Sequence, residues 1–222
     1  MAASDREKHV LIISGGSIDA AFARAYIRER QFDMVISADS GMEFCREAEL
    51  LPDLILGDFD SASPQTLAFF QKECPERIET FPARKDWTDT ELAIIKALDA
   101  GAGKITVLGG TGTRLDHVMG NIQMLKLALD RKVSCQIVDA HNRIRMVDKF
   151  AELKKTDQFG KYVSLVPFTS QITGLTLRGF AYNVDNVTLT AGTSLGISNE
   201  IQAEEAVIDF QEGILLVMES RD

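Results

Sequence analysis

The sequence predicts an α/β N-terminal domain on a mostly parallel sheet, followed by a smaller all-β, sandwich-like domain. Three observations carry this expectation. Up to about residue 145, short apolar runs alternate with longer segments of helical period, which implies crossover connections and a parallel sheet. From Arg143 onward the helical period disappears, and strand-like runs follow one another between turn residues. Aspartates and glycines of the first part collect where strands end and helices begin. The two domains are expected to span 1–145 and 146–222, with the boundary inside a window of 142–150.

Residues 9–14 read as a buried strand, and residues 18–30 as a helix with Ile18, Ala21, Phe22, Ala25 and Tyr26 on one face. Residues 34–37 form the next strand, 42–48 a short helix and 53–56 a third strand. Ser63-Pro64 is an N-cap followed by proline at the first helical position. Thr88-Asp-Thr-Glu91 is a capping-box pattern ahead of a helix over 92–100, which Gly101 stops. A strand over 104–108 leads through glycines into a helix over 115–129, and a strand over 133–138 closes the series. Strands are then expected at 162–166, 175–177, 187–190, 206–210 and 214–218, separated by turn signals at Ser170, Gly174, Ala191-Gly192 and 211–213.

The 222 residues are 45% hydrophobic and 26% charged, enough apolar material for a core without disulfides or a structural metal. No apolar run approaches the roughly 18–20 residues of a membrane span. The segment 1–9 lacks the apolar stretch of a secretory signal. Cys45, Cys74 and Cys135 are widely spaced without a Cys-x-x-Cys pair, which fits reduced thiols in a cytoplasmic protein rather than a disulfide framework or zinc site. The net charge of −9 argues against a nucleic-acid surface. An acidic protein that binds phosphates must bring a cation, so the placement of its acids is informative.

Those acids lie at predicted strand ends and helix starts: Asp39, Asp58, Asp60, Asp86, Asp89 and Asp116. In an open parallel sheet the crevice beyond the carboxyl ends of the strands is where ligands bind, so these groups converge on one cleft. Asp58 and Asp60 are two positions apart and point the same way if the backbone is extended. Two hard oxygen donors so placed suit magnesium, which takes few carboxylates together with waters and phosphate oxygens. Any one of these aspartates also serves as a cap or turn former, and Asp89 also favours its helix dipole.

The Gly109–Gly112 turn between strand and helix offers backbone N–H groups to an anion, and Arg114 adds a guanidinium suited to phosphate. No Gly-Lys-Ser/Thr follows, so this is not a Walker motif. Ser14-Gly-Gly16 reads as a tight turn. His117 reads equally as a phosphate contact or a structural partner, and Trp87, the sole tryptophan, as a packing residue or a stacking platform. Ser198-Asn199 is a turn or a hydrogen-bonding edge for a heterocycle. The residues alone point to a Mg²⁺-dependent nucleotide or phosphate enzyme with an unidentified acceptor.

Five ordered segments resemble the motifs of thiamine pyrophosphokinases. They are Ala38-Asp-Ser-Gly41, Pro52-Asp-Leu-Ile-Leu-Gly-Asp-Phe-Asp-Ser61, Lys85-Asp-x-Thr-Asp-Thr-Glu-Leu-Ala93, Gly109-Gly-Thr-Gly-x-Arg-Leu-Asp-His117 with Asn121, and Gly196-Ile-Ser-Asn-Glu200. Ser40 and Thr113 stand where many members of that family have glycine, both small replacements. The resemblance implies an α/β ATP-binding domain, a β-sandwich domain and a homodimer with shared sites. Asp58, Asp60 and either Asp86 or Asp89 would hold Mg²⁺, with Asp89 taken as the third ligand. Gly110, Thr111, Gly112, Arg114, His117 and Asn121 would bind ATP, with Arg114 and Asp116 completing the nucleotide site. Asp39, Ser198 and Asn199 would serve the thiamine side. Two other readings remain open on the residues alone: a Mg²⁺-dependent kinase or hydrolase of another phosphate compound, and a non-catalytic nucleotide-binding module.

Overall fold

The structure, a computed structural model, describes residues 7–82 and 86–222, so the expectations for segment 1–6 and for Lys85 lie outside it. The chain divides into two compact units, residues 1–140 and 141–222. No helix among the described residues is long and apolar enough to cross a membrane.

The first unit runs β1 (His9–Ile13), α1 (Ala20–Arg28), β2 (Met34–Ala38), α2 (Gly41–Glu47), β3 (Leu54–Gly57), α3 (Pro64–Glu73), β4 (Ile78–Thr80), α4 (Asp89–Asp99), β5 (Lys104–Leu108), α5 (Leu115–Asp130) and β6 (Ser134–Val138). The strands pair in the order β4-β3-β2-β1-β5-β6, every pair parallel. Leu11, Ile12, Ile13, Ile36, Ile55, Leu56, Ile105 and Leu108 are fully buried. Such continuous apolar runs are what a sheet covered on both faces requires.

The helix starts obey local chemistry. Ser63 Oγ accepts from Thr66 N and Thr88 Oγ1 from Glu91 N, as the cap patterns predicted. Helix α1 begins two residues later than its apolar period suggested, because Asp19 accepts from Phe22 N at 2.8 Å and sets the cap there. Strand β4 was not anticipated. It has three residues, two of them exposed, so it carries no apolar pattern. Cys45, Cys74 and Cys135 are free and buried; burial pushes the Cys45 and Cys135 thiols up to about 12 and raises Cys74.

The second unit contains β7 (Asn142–Val147), β8 (Phe150–Lys154), β9 (Tyr162–Pro167), β10 (Gln171–Arg178), β11 (Val184–Thr190), β12 (Glu205–Asp209) and β13 (Leu215–Ser220). One antiparallel layer has β13 between β7 and β9, and the other has the order β11-β10-β12-β8. Their inner faces meet in a single core that includes Leu153, Leu165, Leu175, Ile208, Phe210 and Val217. This is the sandwich the sequence implied.

Two details differ from expectation. Strands β7 and β8 were not foreseen, because Arg143, Arg145, Glu152 and Lys154 interrupt their apolar residues. Gly174 is not a turn between strands but lies inside β10, with positive φ, where the register with β11 shifts.

One charged cluster is sealed in this unit. Glu219 is 0% exposed, and its carboxylate accepts from Arg143 NH2 at 2.7 Å, Arg143 Nε at 2.8 Å, Arg145 NH2 at 2.8 Å and Phe159 N at 3.2 Å. Burial lowers the Arg145 pKa against the pull of Glu219, and its Nε is buried without a partner.

Candidate active site

The strand order of the first unit fixes where a ligand fits. From β1 the chain winds outward through β2, β3 and β4, then returns to β5 on the other side of β1. The reversal between β1 and β5 leaves the loops after these two strands diverging, which opens a crevice at their carboxyl ends. A cleft of about 550 Å³ lies there, lined by Ser14, Asp39, Asp58, Trp87, Asp89, Gly110, Arg114 and His117 among others.

The two loops at the switch point are locked together by main-chain bonds. Ser14 N donates to Leu108 O, Gly16 N to Gly109 O and Ser17 N to Thr111 O, at 2.7–2.8 Å. A Cβ on Gly16 would stand 2.3 Å from the carbonyl oxygens of both Gly109 and Thr111, so nothing larger than glycine allows this approach. Gly109 combines a φ of 70° with an equally close approach to Ser14 O. The second loop is also held from behind. Asn121 Nδ2 donates to Gly110 O, and Thr111 Oγ1 to Asp139 Oδ2, both at 2.8 Å. Ser14 and Thr90 share a buried hydroxyl contact of 2.6 Å, which ties the first loop to α4.

Acids line the same cleft. Carboxylate oxygens of Asp39, Asp58 and Asp60 lie within 4.8 Å of one another. Strand alternation does not aim Asp58 and Asp60, as had been expected. Strand β3 stops at Gly57, Phe59 is left-handed with φ 63°, and Asp58 Oδ1 accepts from Asp60 N at 3.1 Å. A tight turn with Phe59 buried brings the two carboxylates together instead. Asp39 is also left-handed, with φ 47°. Its Oδ1 is buried without a hydrogen-bond partner. Burial raises its pKa, Asp89 and Asp58 raise it further, and bonds from Ser40 N and Ser61 oppose the rise.

A buried carboxylate oxygen with no donor, facing two further carboxylates, is a poor arrangement for an isolated protein and a good one for a hard cation. The donor set fits Mg²⁺: oxygen only, without cysteine or histidine.

The other predicted residues are distributed as follows. Asp89, Gly110, Thr111, Gly112, Arg114, His117 and Asn121 line the cleft, Asp60 completes the acid cluster, and Asp86 is exposed outside the lining. Asp116 is exposed and forms a forked pair with Arg114, at 2.7 Å and 3.3 Å, which holds its carboxyl down at about 2. That pair is exposed on both sides, and Arg114 remains part of the cleft lining. In the second unit Ser198 is exposed with φ 60°, while Asn199 is buried. The Asn199 amide is tied to the main chain: Oδ1 accepts from Tyr182 N and Glu200 N, and Nδ2 donates to Tyr182 O.

Sequence reasoning underrated the loop 14–17 and passed over Thr90 and Asp139. The Gly-Gly step after the first strand was the available signal, since it repeats the pattern after the fifth.

The comparisons with known proteins agree over most of the chain. Residues 28–138 match the thiamin pyrophosphokinase catalytic domain, and residues 151–215 the thiamin pyrophosphokinase vitamin B1 binding domain. The thiamine pyrophosphokinase of Bacillus subtilis is 34% identical over 187 residues, 84% of this chain and 87% of that one. The crystal structure of the Bacillus subtilis enzyme superposes with a TM-score of 0.87 at 31% identity, covering 97% of this chain and all of the other. The thiamin pyrophosphokinase of Geobacillus thermodenitrificans gives 0.84 at 32% identity, with 96% and 98% covered. With both domain models matched in order and a relative above 30% identity along nearly its whole length, the chain belongs to the thiamine pyrophosphokinase family.

Proposed function

We propose that this chain transfers the pyrophosphoryl group of ATP to the hydroxyl of thiamine, giving thiamine diphosphate and AMP, with Mg²⁺ bound at the Asp39–Asp58–Asp60 cluster. The observation that carries the reading is the meeting of two features in one switch-point cleft. Interlocked glycine loops line it together with a carboxylate cluster in which Asp39 Oδ1 is buried without a hydrogen-bond partner.

Mg²⁺, when bound, neutralises charge on the phosphate oxygens and polarises the phosphorus under attack. The chain's own groups do the rest. Backbone N–H groups of the 110–112 loop face the nucleotide phosphates, with Thr111 steadied by Asp139 and Gly110 by Asn121. Arg114, oriented by Asp116, stabilises the charge that spreads over nonbridging oxygens as the β-phosphorus changes partners. A cleft carboxylate takes the proton of the thiamine hydroxyl as its oxygen bonds to phosphorus and AMP departs. In this reading Asp89 lies beside the metal site and tunes Asp39.

The α/β domain is assigned the nucleotide and the metal, and the sandwich domain thiamine binding and self-association. The exposed loop at Ser198 supports the second assignment, and Asn199 acts by fixing the backbone at Tyr182 rather than by direct contact. A homodimer completes each site with the Ser198 loop of the other copy. Buried free thiols suit the reducing cytoplasm.

Purified protein, ATP, Mg²⁺ and thiamine should yield AMP and thiamine diphosphate in equal amounts. ATP breakdown independent of thiamine would instead establish a hydrolase, and ATP binding without AMP a non-catalytic module.

A further inference from the structure

Trp87 is the only tryptophan of the chain and sits in the cleft lining with half of its surface exposed. A packing role is not what the structure gives it. Large aromatic side chains that do pack, such as Phe70 and Tyr26, are 1% and 6% exposed. The same lining holds three acids, Asp39, Asp58 and Asp89, together with Arg114 and His117, and Asp86 is exposed next to Trp87 in the chain. An indole face in a field of carboxylates is attractive to a flat cation and offers a neutral ring much less.

Resting on the activity proposed above, we infer that Trp87 is a specificity-determining residue whose indole holds the cationic thiazolium ring of the acceptor. Chemistry ties the two together. The acceptor hydroxyl is separated from the thiazolium ring by only two carbons, and it must reach phosphorus beside the Asp58–Asp60 metal site. The ring therefore comes to rest in the same cleft, close to those acids, where Trp87 supplies an aromatic face. The anionic phosphates are left to the glycine loops and Arg114, which line the same cleft.

A single tryptophan makes its fluorescence a direct reporter. With Mg²⁺ and an α,β-methylene ATP analogue present, thiamine should quench the emission and saturate near its KM. Full quenching by the analogue alone, with nothing added by thiamine, would assign the indole to the nucleotide base and overturn the inference. The N-methyl hydroxyethylthiazolium cation should quench at lower concentration than the neutral hydroxyethylthiazole; equal quenching removes the cation from the argument. In turnover, Trp87→Leu should raise KM for thiamine about tenfold while kcat and KM for ATP hold, and Trp87→Phe should restore most of the loss. An unchanged thiamine KM in Trp87→Leu refutes the assignment. These outcomes are separate from the activity itself, since a wild-type chain that makes no thiamine-dependent AMP fails before any variant is compared.

Discussion

The two units treat buried charge in opposite ways. In the sandwich unit, Glu219 is sealed from solvent and answered by two arginines and a backbone N–H. In the α/β unit, Asp39, Asp58 and Asp60 are gathered within 4.8 Å, with no ion pair to any of them among the described residues. Desolvated charge is costly in both places. In the first the chain supplies its own counter-charges, so the cluster is complete without a ligand. In the second no basic side chain answers the cluster among the described residues, the arrangement expected of a site proposed to take a cation. Charge that closes on itself is structural; charge left open marks the place for a ligand.

The largest effect should come from opening the closed cluster. Glu219→Ala leaves Arg143 and Arg145 facing each other in the sandwich, and unfolding by urea should show a loss of about 3–5 kcal/mol. A loss near zero would mean that the arginines find solvent and that the contrast between units is overstated.

Next, Asp58→Asn or Asp60→Asn keeps the turn and removes a charge from the proposed metal site. Turnover should fall on the order of a hundredfold or more, with the circular dichroism spectrum unchanged. Near-normal turnover would return these residues to the role of turn formers. Exhaustive chelation should abolish activity and Mg²⁺ restore it, with Mn²⁺ a partial substitute.

A smaller change tests the contrast more sharply. Asp39→Asn removes repulsion with Asp58 and Asp89, so the metal-free chain should become more stable by about 1 kcal/mol while losing activity. The rise in Tm that Mg²⁺ gives the wild type should shrink in this variant. A destabilised Asp39→Asn would show that the cluster is compensated in a way the geometry does not reveal.

The assembly has its own test. An Asp60→Asn chain mixed with one carrying bulky replacements at Ser198 and Asn199 should regain activity on subunit exchange, because one site of the heterodimer escapes both lesions. No recovery in confirmed heterodimers would place each site within one chain.

The sequence made the parallel sheet legible because its central strands are short, mostly apolar runs that alternate with segments of helical period. It made the acids legible because they fall at strand ends. What stayed hidden depends on torsion and distance. The sequence puts Asp39 in the same cleft, but its place beside Asp58 depends on its left-handed backbone and the Phe59 turn. The locking of loop 14–17 to loop 109–112 joins residues almost a hundred positions apart, beyond any local pattern. Asn199 reads as either a turn residue or a ligand contact because an amide in a turn carries no sign of which way it faces. Strands β7 and β8 were hidden by the charges that the sandwich pairs or exposes.

The placement of the three cysteines has a practical consequence. All of them lie within residues 1–140, every one is buried, and burial raises the pKa of each thiol. Alkylating reagents attack the thiolate, so the folded chain offers them almost nothing at neutral pH. Labelling can then proceed only through openings of the α/β unit, while breathing of the sandwich goes unrecorded. The wild-type chain thus carries a built-in clock for one half of itself. Followed by mass with and without Mg²⁺ and nucleotide, it times how firmly any bound ligand clamps the α/β half, with no label to introduce and no residue to change.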